Sequence, residues 1–333
     1  MKKNILITGG GGFIGSHLVE RCVTLGHKVK VLSPYNIDSS WGWMDTFDKN
    51  IKDNIEVILG DVNDFNLIKK KTKKTDVIFH LAALISIPYS YQSPKSYIDT
   101  NINGTYNILE ASKENDVELV VNTSTSEVYG SAQYIPIDEN HPMNAQSPYA
   151  ATKIAADHLC LSYYRSFNLP VTVLRPFNTF GPRQSQRAAI PAIINQIING
   201  KKKIKLGNLH SSRDFTYVED TVEGYIKLIG NKKSIGEVIN LGTGTSFTIK
   251  ETLDLICRIL KTKIEVELDK KRLRPKKSEV NQLLSNNLKA KKILSWKPKF
   301  TKEKGFYEGL KKTIQWFKEN KNLSKYNPDQ YNV

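Results

Sequence analysis

The chain predicts an α/β protein built on a doubly wound parallel sheet, with a smaller C-terminal lobe. Three observations carry this. Short β-rich runs alternate with longer amphipathic stretches through the first half, and the first run leads directly into a glycine loop. After Arg175-Pro176 the texture shifts to shorter segments richer in Gly, Pro and Lys. Strand–helix alternation implies parallel strands joined by crossover helices, since a parallel neighbour cannot be reached by a tight turn.

The predicted strands are 4–8, 28–32, 55–59, 76–80, 118–123 and 171–174, each a short apolar run suited to a sheet covered on both faces. Helical patterns fill the gaps near 13–25, 97–115 and 147–167. Ligands of such sheets bind at the carboxyl ends of strands, where Thr8, His80 and Thr125 fall. The expected division is 1–175 for the sheet domain and 176–333 for the lobe, the two interleaved and not joined by a linker. The last dozen residues, 322–333, are polar and expected to be loosely held.

Composition narrows the class. With 333 residues and 39% hydrophobic content the chain can bury a large core. Cys22, Cys160 and Cys257 are far apart and form no C-x-x-C pair, which argues against a disulfide framework or structural zinc. No stretch reaches the roughly 18 apolar residues of a membrane span, and the N-terminus reads as a first strand and not a leader. The expectation is a cytoplasmic enzyme with no metal and no membrane partner. The net charge of +16 raises nucleic-acid binding, yet only nine of the 49 basic residues are arginine. Clusters such as 69–71 and 201–203 carry no interleaved aromatics. They read as solvated lysine faces, and no nucleic-acid partner is expected.

Gly9, Gly12 and Gly15 form G-x-x-G-x-x-G between the first strand and the first helix, with Phe13 and Ile14 opening that helix. Glycine there lets backbone N–H groups approach a pyrophosphate at the positive helix end, the signature of a Rossmann dinucleotide site. Ser33 follows the second strand, Asp61-Val62 follows the third, and Leu81-Ala82-Ala83 follows the fourth, all expected at cofactor-facing positions. His80 reads as a satisfied histidine at a strand end. The second strand ends in Leu32-Ser33-Pro34-Tyr35-Asn36, with neither the acidic residue of NAD sites nor the arginine of NADP sites, so NAD and NADP both stay open.

Two further segments stand out: Tyr149-Ala150-Ala151-Thr152-Lys153, and Thr125-Ser126-Glu127 just after the fifth strand. With Asn101-Ile102-Asn103-Gly104-Thr105, Arg175-Pro176-Phe177-Asn178 through Gly181-Pro182-Arg183, Arg213-Asp214-Phe215, Asn240-Leu241-Gly242 and Arg274-Pro275 to Glu279-Val280, they give ordered matches along nearly the whole chain. On these the chain resembles the extended short-chain dehydrogenases/reductases that act on nucleotide sugars.

The resemblance implies roles. Spacing of four puts Tyr149 and Lys153 on one helix face. A tyrosine near pKa ~10 is a poor base at neutral pH; Lys153 and a nicotinamide cation are expected to favour its phenolate. Tyr149 would then take the proton of a sugar 4-hydroxyl that Thr125 orients, while the C4 hydride goes to NAD or NADP, with NAD favoured by the resemblance. Glu127 would remove the acidified C5 proton as water leaves C6, which distinguishes a 4,6-dehydratase from an epimerase. Many such dehydratases have Asp before the Glu; here Ser126 stands instead, as in GDP-mannose 4,6-dehydratases, so Glu127 would also protonate the leaving hydroxyl, with Ser126 or a water relaying. UDP-glucuronate decarboxylases share Thr-Ser-Glu but usually carry an acidic, glycine-containing run before the lysine, where this chain has Ala150-Ala151-Thr152. A decarboxylase and a 4-epimerase on the same scaffold are the alternatives.

The chain is most similar to the dehydratases of legionaminic acid biosynthesis, which act on nucleotide-activated N-acetylglucosamine; the shared Thr-Ser-Glu tilts the base towards GDP over UDP. The resemblance implies Arg183, Arg213 and Arg274 as diphosphate clamps, Asn178 at the sugar-phosphate end and Glu279 at a ribose hydroxyl. It also implies a homodimer or higher oligomer through the helices 97–115 and 147–167. The aromatic Trp41-Gly42-Trp43 reads equally as a lid or subunit contact and as a buried cluster.

Overall fold

A computed structural model describes residues 2–327. Its centre is a seven-stranded sheet whose registers are all parallel. The strands are β1 (Asn4–Thr8), β2 (Lys28–Ser33), β3 (Ile55–Leu59), β4 (Val77–His80), β5 (Leu119–Thr123) and β6 (Val171–Pro176), plus Val238–Leu241. The six predicted strands are all present. The seventh was not anticipated; it pairs with β6 from beyond residue 175, so the sheet is completed by the second half of the chain.

Side-chain alternation explains how both faces are covered. Ile5 and Ile7 of β1 point into one apolar cluster with Val29, Val31, Phe79 and Val121. Leu6 points into the opposite one with Leu32, Ile78, Val120 and Ile108. Each such side chain, fully buried, contributes about 1.5–3 kcal/mol. Helix α1 (Phe13–Thr24) packs Leu18, Val19 and Cys22 on the first face. The helix Gly104–Glu114 packs Ile108, Leu109 and Ala111 on the other.

The strand order places β4 and β2 on either side of β1. Chain direction across the sheet therefore reverses at the carboxyl ends of β1 and β4, where a crevice must open. The predicted helix over 97–115 is interrupted: it begins at Pro94–Tyr97, widens to a π-helical stretch at Ile98–Asn103 and resumes at Gly104. Asn101 in that stretch bonds both the N–H and the carbonyl of Leu84 and the hydroxyl of Thr152. The widened turn thus ties the loop after β4 to the helix that carries Tyr149.

The lobe holds a small sheet of Asn178–Phe180, Ser212–Tyr217, Ser246–Thr248 and Gln282–Leu283, and a pair Lys203–Leu206 with Glu265–Leu268. It docks on α1 twice: His17 donates to the Pro182 carbonyl at 3.1 Å, and Arg183 grips Glu20 at 2.6 and 3.1 Å. Burial, reinforced by the Arg183 charge, pushes His17 down to about 4. Below its unfolded value near 6.5 the unfolded chain binds a proton that the folded chain refuses until about pH 4, so stability falls as pH drops across that window. Replacing His17 with glutamine, which keeps a donor and does not titrate, is expected to flatten the acid-side loss by about 1.4 kcal/mol per pH unit. Denaturant midpoints measured from pH 7 to 4 check this; an unchanged slope contradicts it.

The C-terminal segment departs from expectation. Asn322 is buried, and Tyr326 packs with Trp43, Trp316 and Phe317. Residues 322–327 are therefore held; the remainder of the predicted loose tail, 328–333, lies outside the described residues. The Trp43 ring centre lies 5.5 Å from that of Trp316, and the Trp43 backbone N–H donates to the Gly11 carbonyl at 2.9 Å. The Trp-Gly-Trp segment is thus an intramolecular clasp between the glycine loop and the last long helix, Lys302–Phe317. No described helix is long and apolar enough to cross a membrane, and no described cluster of His, Cys, Asp or Glu could hold a metal ion.

Candidate active site

A cleft of about 1340 Å³ opens at the carboxyl ends of the strands, between sheet and lobe. That exceeds the 300–1,000 Å³ usual for one small ligand and leaves room for two. One end is the glycine loop. Gly9 adopts φ +72°, and a Cβ there would lie 2.8 Å from the Ala82 nitrogen. A Cβ on Gly15 would lie 2.3 Å from the Gly9 carbonyl oxygen. Loop, helix start and the β4 extension are thus in backbone contact, and only glycine closes them. Gly12 caps α1 without any side-chain acceptor, which leaves the first N–H groups of the helix to a ligand.

Gly9, Gly12, Phe13, Ile14, Gly15, Ser33, Asp61, Val62, Leu81, Ala82 and Ala83 all line the cleft. A cradle of backbone donors followed by small side chains fits a dinucleotide pyrophosphate and its nicotinamide arm. Asp38, unremarked as a cofactor residue in the sequence, lines the same end. His80 bonds Thr8 at 2.8 Å and Thr105 at 3.2 Å, and burial, with the Lys153 charge, pushes it down to about 3. It is a neutral brace between β1, β4 and the Gly104–Glu114 helix.

The helix Pro148–Phe167 starts where Ser147 accepts from the Ala150 N–H, with proline at its first position. This puts Tyr149 at the cleft wall, 7% exposed, edge-on to Tyr97 with ring centres 6.2 Å apart. Thr125 caps the short turn Ser126–Tyr129 by accepting from the Glu127 N–H, and its hydroxyl is close enough to Tyr149 to favour the phenolate. Thr125, Ser126, Glu127 and Tyr149 all face the cleft.

The expected lowering of the phenol is not found among the protein's own groups. Burial raises Tyr149 well above its ordinary value, the nearby Thr125 hydroxyl pulls it back, and the Glu127 charge raises it further. Lys153 lies behind the wall, 3% exposed; burial lowers it while Asp157 raises it.

A buried network brackets the Thr125–Glu127 run. Asp157, one turn beyond Lys153, accepts from Ser124 at 2.7 Å, Asn122 at 3.2 Å and Arg175 at 3.0 Å. Arg175 bonds the Tyr129 hydroxyl at 2.9 Å, which donates to Asn240 at 2.8 Å. Ser124 and Tyr129 flank the triplet on either side, so both of its ends are anchored to one ion pair.

At the lobe end, Asn178, Arg213, Arg274 and Glu279 line the cleft. Asn178 and Gln184 both line the cleft, and Asn178 Oδ1 and Gln184 Oε1 are buried without a hydrogen-bond partner. Arg213 pairs with Glu279 at 3.8 Å, and Arg274 with Glu127 at 3.4 Å. Arg183 departs from its expected role: it turns away from the cleft to Glu20, because α1 offers a carboxylate in bidentate reach. Arg187 and Arg272 line the cleft in its place. Arg187 stands only four residues beyond Arg183, the one hint the sequence offered.

The family described as GDP-mannose 4,6 dehydratase matches residues 6–309. The UDP-N-acetyl-alpha-D-glucosaminuronate decarboxylase of Bacillus cytotoxicus is 33% identical, over 97% of this chain and 100% of its own. Among solved structures, a UDP-N-acetylglucosamine 4-epimerase from Methanobrevibacter ruminantium M1 in complex with UDP-N-acetylmuramic acid is 33% identical. It superposes with TM-score 0.85, over 98% of this chain and 100% of that one. The dTDP-glucose 4,6-dehydratase of Streptomyces venezuelae with NAD and TYD bound gives TM-score 0.84 at 25% identity, over 98% of this chain and 99% of that one.

Proposed function

The chain belongs to the GDP-mannose 4,6 dehydratase family of nucleotide-sugar enzymes, and on that premise we propose that it is a 4,6-dehydratase. Its substrate is GDP-N-acetylglucosamine, or the UDP analogue, and its product the 4-keto-6-deoxy sugar used for legionaminic acid-type surface glycans. The observation that carries this is Glu127, a carboxylate in the cleft within electrostatic reach of Tyr149. Tyr149 and Thr125 suffice for oxidation at C4; a second base is what elimination adds.

The dinucleotide, held by Gly9, Gly12, Gly15 and the start of α1, supplies the hydride acceptor for C4 and the donor for C6. NAD is the reading we adopt. Asp38 and Asp61 line the adenosine end, where carboxylates would repel a 2′-phosphate. Thr125 orients the 4-hydroxyl and Tyr149 takes its proton. Lys153, cationic behind the phenol, supports the charge Tyr149 carries before that transfer. Glu127 removes the C5 proton and returns one to the C6 hydroxyl, which leaves as water; Ser126, at the same wall, relays. Once hydride has reached C6, C5 takes back a proton from solvent and Tyr149 gives up the one it accepted, which closes the proton balance. Asn178, at the cleft wall, contacts the sugar-phosphate end, and Arg213 and Arg274 take the diphosphate.

Exposed Tyr106, Tyr164 and Phe167 on the two helices 104–114 and 148–167 support a homodimer through that face. Three free cysteines, two of them buried, suit a cytoplasmic enzyme.

The decarboxylase relative favours a second reading, release of carbon dioxide from a uronate. Incubation with GDP- and UDP-N-acetylglucosamine and with UDP-glucuronate, followed by mass spectrometry, separates the readings. Loss of one water from the GDP sugar is expected. Carbon dioxide loss from the uronate, or an isomer of unchanged mass, replaces the proposal.

A further inference from the structure

Glu127 does not stand free in the cleft. Arg274 Nη1 donates to its Oε2 at 3.4 Å, with the two side chains 23% and 12% exposed. Beside them Arg213, almost fully buried, pairs with Glu279 at 3.8 Å. Two guanidinium groups and two carboxylates thus alternate on one stretch of wall. Burial lowers Arg274, but the Glu127 and Glu279 charges raise it and prevail. In Arg213 burial prevails, aided by the Arg274 charge, over the opposing pull of Glu127 and Glu279.

We propose that Arg274 is a latch on Glu127: the guanidinium holds the carboxylate until a nucleoside diphosphate takes the guanidinium and releases it. This rests on the reading that Glu127 is the elimination base and that the arginines take the diphosphate. The geometry favours the exchange. The Arg274–Glu127 pair is long and single-pronged, whereas a phosphate accepts the guanidinium fork through two parallel bonds. Arg274 stays neutralised throughout, so the swap avoids stranding a half-buried cation. A sugar without the diphosphate would leave the base masked, so Arg274 acts as a positioning residue that ties activation of the base to recognition of the nucleotide.

Coupling of this kind is reciprocal: if the diphosphate displaces Glu127, Glu127 must oppose the diphosphate. Calorimetric titration with UDP and GDP, as probes lacking the sugar, reads this without turnover. Glu127→Gln is expected to tighten binding of at least one of them about 10-fold. Arg274→Met is expected to weaken it, and Arg274→Lys to weaken it less. In the Arg274→Met background, Glu127→Gln should change affinity by less than about twofold, since the coupling runs through the missing guanidinium. Equal tightening in both backgrounds would mean a general charge effect and would overturn the latch, as would no tightening at all. If Arg274→Met and Arg274→Lys both bind as the wild type does, the diphosphate assignment of Arg274 falls and the latch with it. The dehydratase reading is judged apart, by water loss from the intact sugar nucleotide, and survives a failed latch.

Discussion

Glutamine at position 127 is expected to lower dehydration about 10³-fold while leaving the fold and dinucleotide binding intact. Glutamine fills the same space beside Tyr149 and Arg274 but can neither take the C5 proton nor deliver one to C6. The groups proposed for the first oxidation, Thr125 and Tyr149, are untouched, as is the glycine cradle. The variant should therefore still exchange the C4 hydrogen, seen as scrambling of a C4 deuterium label between substrate and cofactor pools, without losing water. If it dehydrates at the wild-type rate, Glu127 is not the base. Loss of both the label exchange and dinucleotide binding would point to a structural role instead.

The second large effect lies beneath the site. Asp157→Ala is expected to destabilise the protein by about 3–5 kcal/mol, because it leaves the Arg175 guanidinium uncompensated among residues that exclude water. The pair is 3% and 1% exposed, so solvent cannot make up the loss. The same change frees Ser124 and, through Arg175, Tyr129, so the Thr125–Glu127 run loses both anchors. The double variant Asp157→Leu/Arg175→Met removes both charges and is expected to recover most of the stability but not the rate. Chemical denaturation and steady-state kinetics on the same preparations separate the two. Wild-type stability in the single variant, or wild-type rate in the double, would show that the pair does not hold the catalytic run.

The contrast between what was legible in the sequence and what was not follows from the range of the forces involved. β1 to β6 were readable because each is a short β-rich run set between longer amphipathic stretches, a local property. The strand Val238–Leu241 lies in the second half of the chain, outside the strand–helix alternation, and its pairing with β6 is what identifies it. The glycine loop could be read because its constraint, backbone contact across a few residues, is written in glycines. Tyr149 and Lys153 were found by spacing on one helix; the chemistry of their surroundings was not. Burial and the Glu127 charge act on the phenol from segments more than twenty residues away, and Arg183 met a carboxylate 163 residues away on α1. A guanidinium in a motif announces an anion; whether that anion is a ligand or a neighbouring helix is a tertiary fact. Trp43 packs against Trp316 and Tyr326, near the other end of the chain, a contact that no local pattern announces.

The central claim is that the cleft carries out elimination across C5 and C6 of a nucleotide-activated hexose. Turnover of GDP-N-acetylglucosamine in heavy water tests it most directly, with the product examined by mass spectrometry and proton NMR. The expected product is lighter than the substrate by one water, apart from a single solvent-derived deuterium placed at C5. A product of unchanged composition inverted at C4, or one without deuterium at C5, would contradict it.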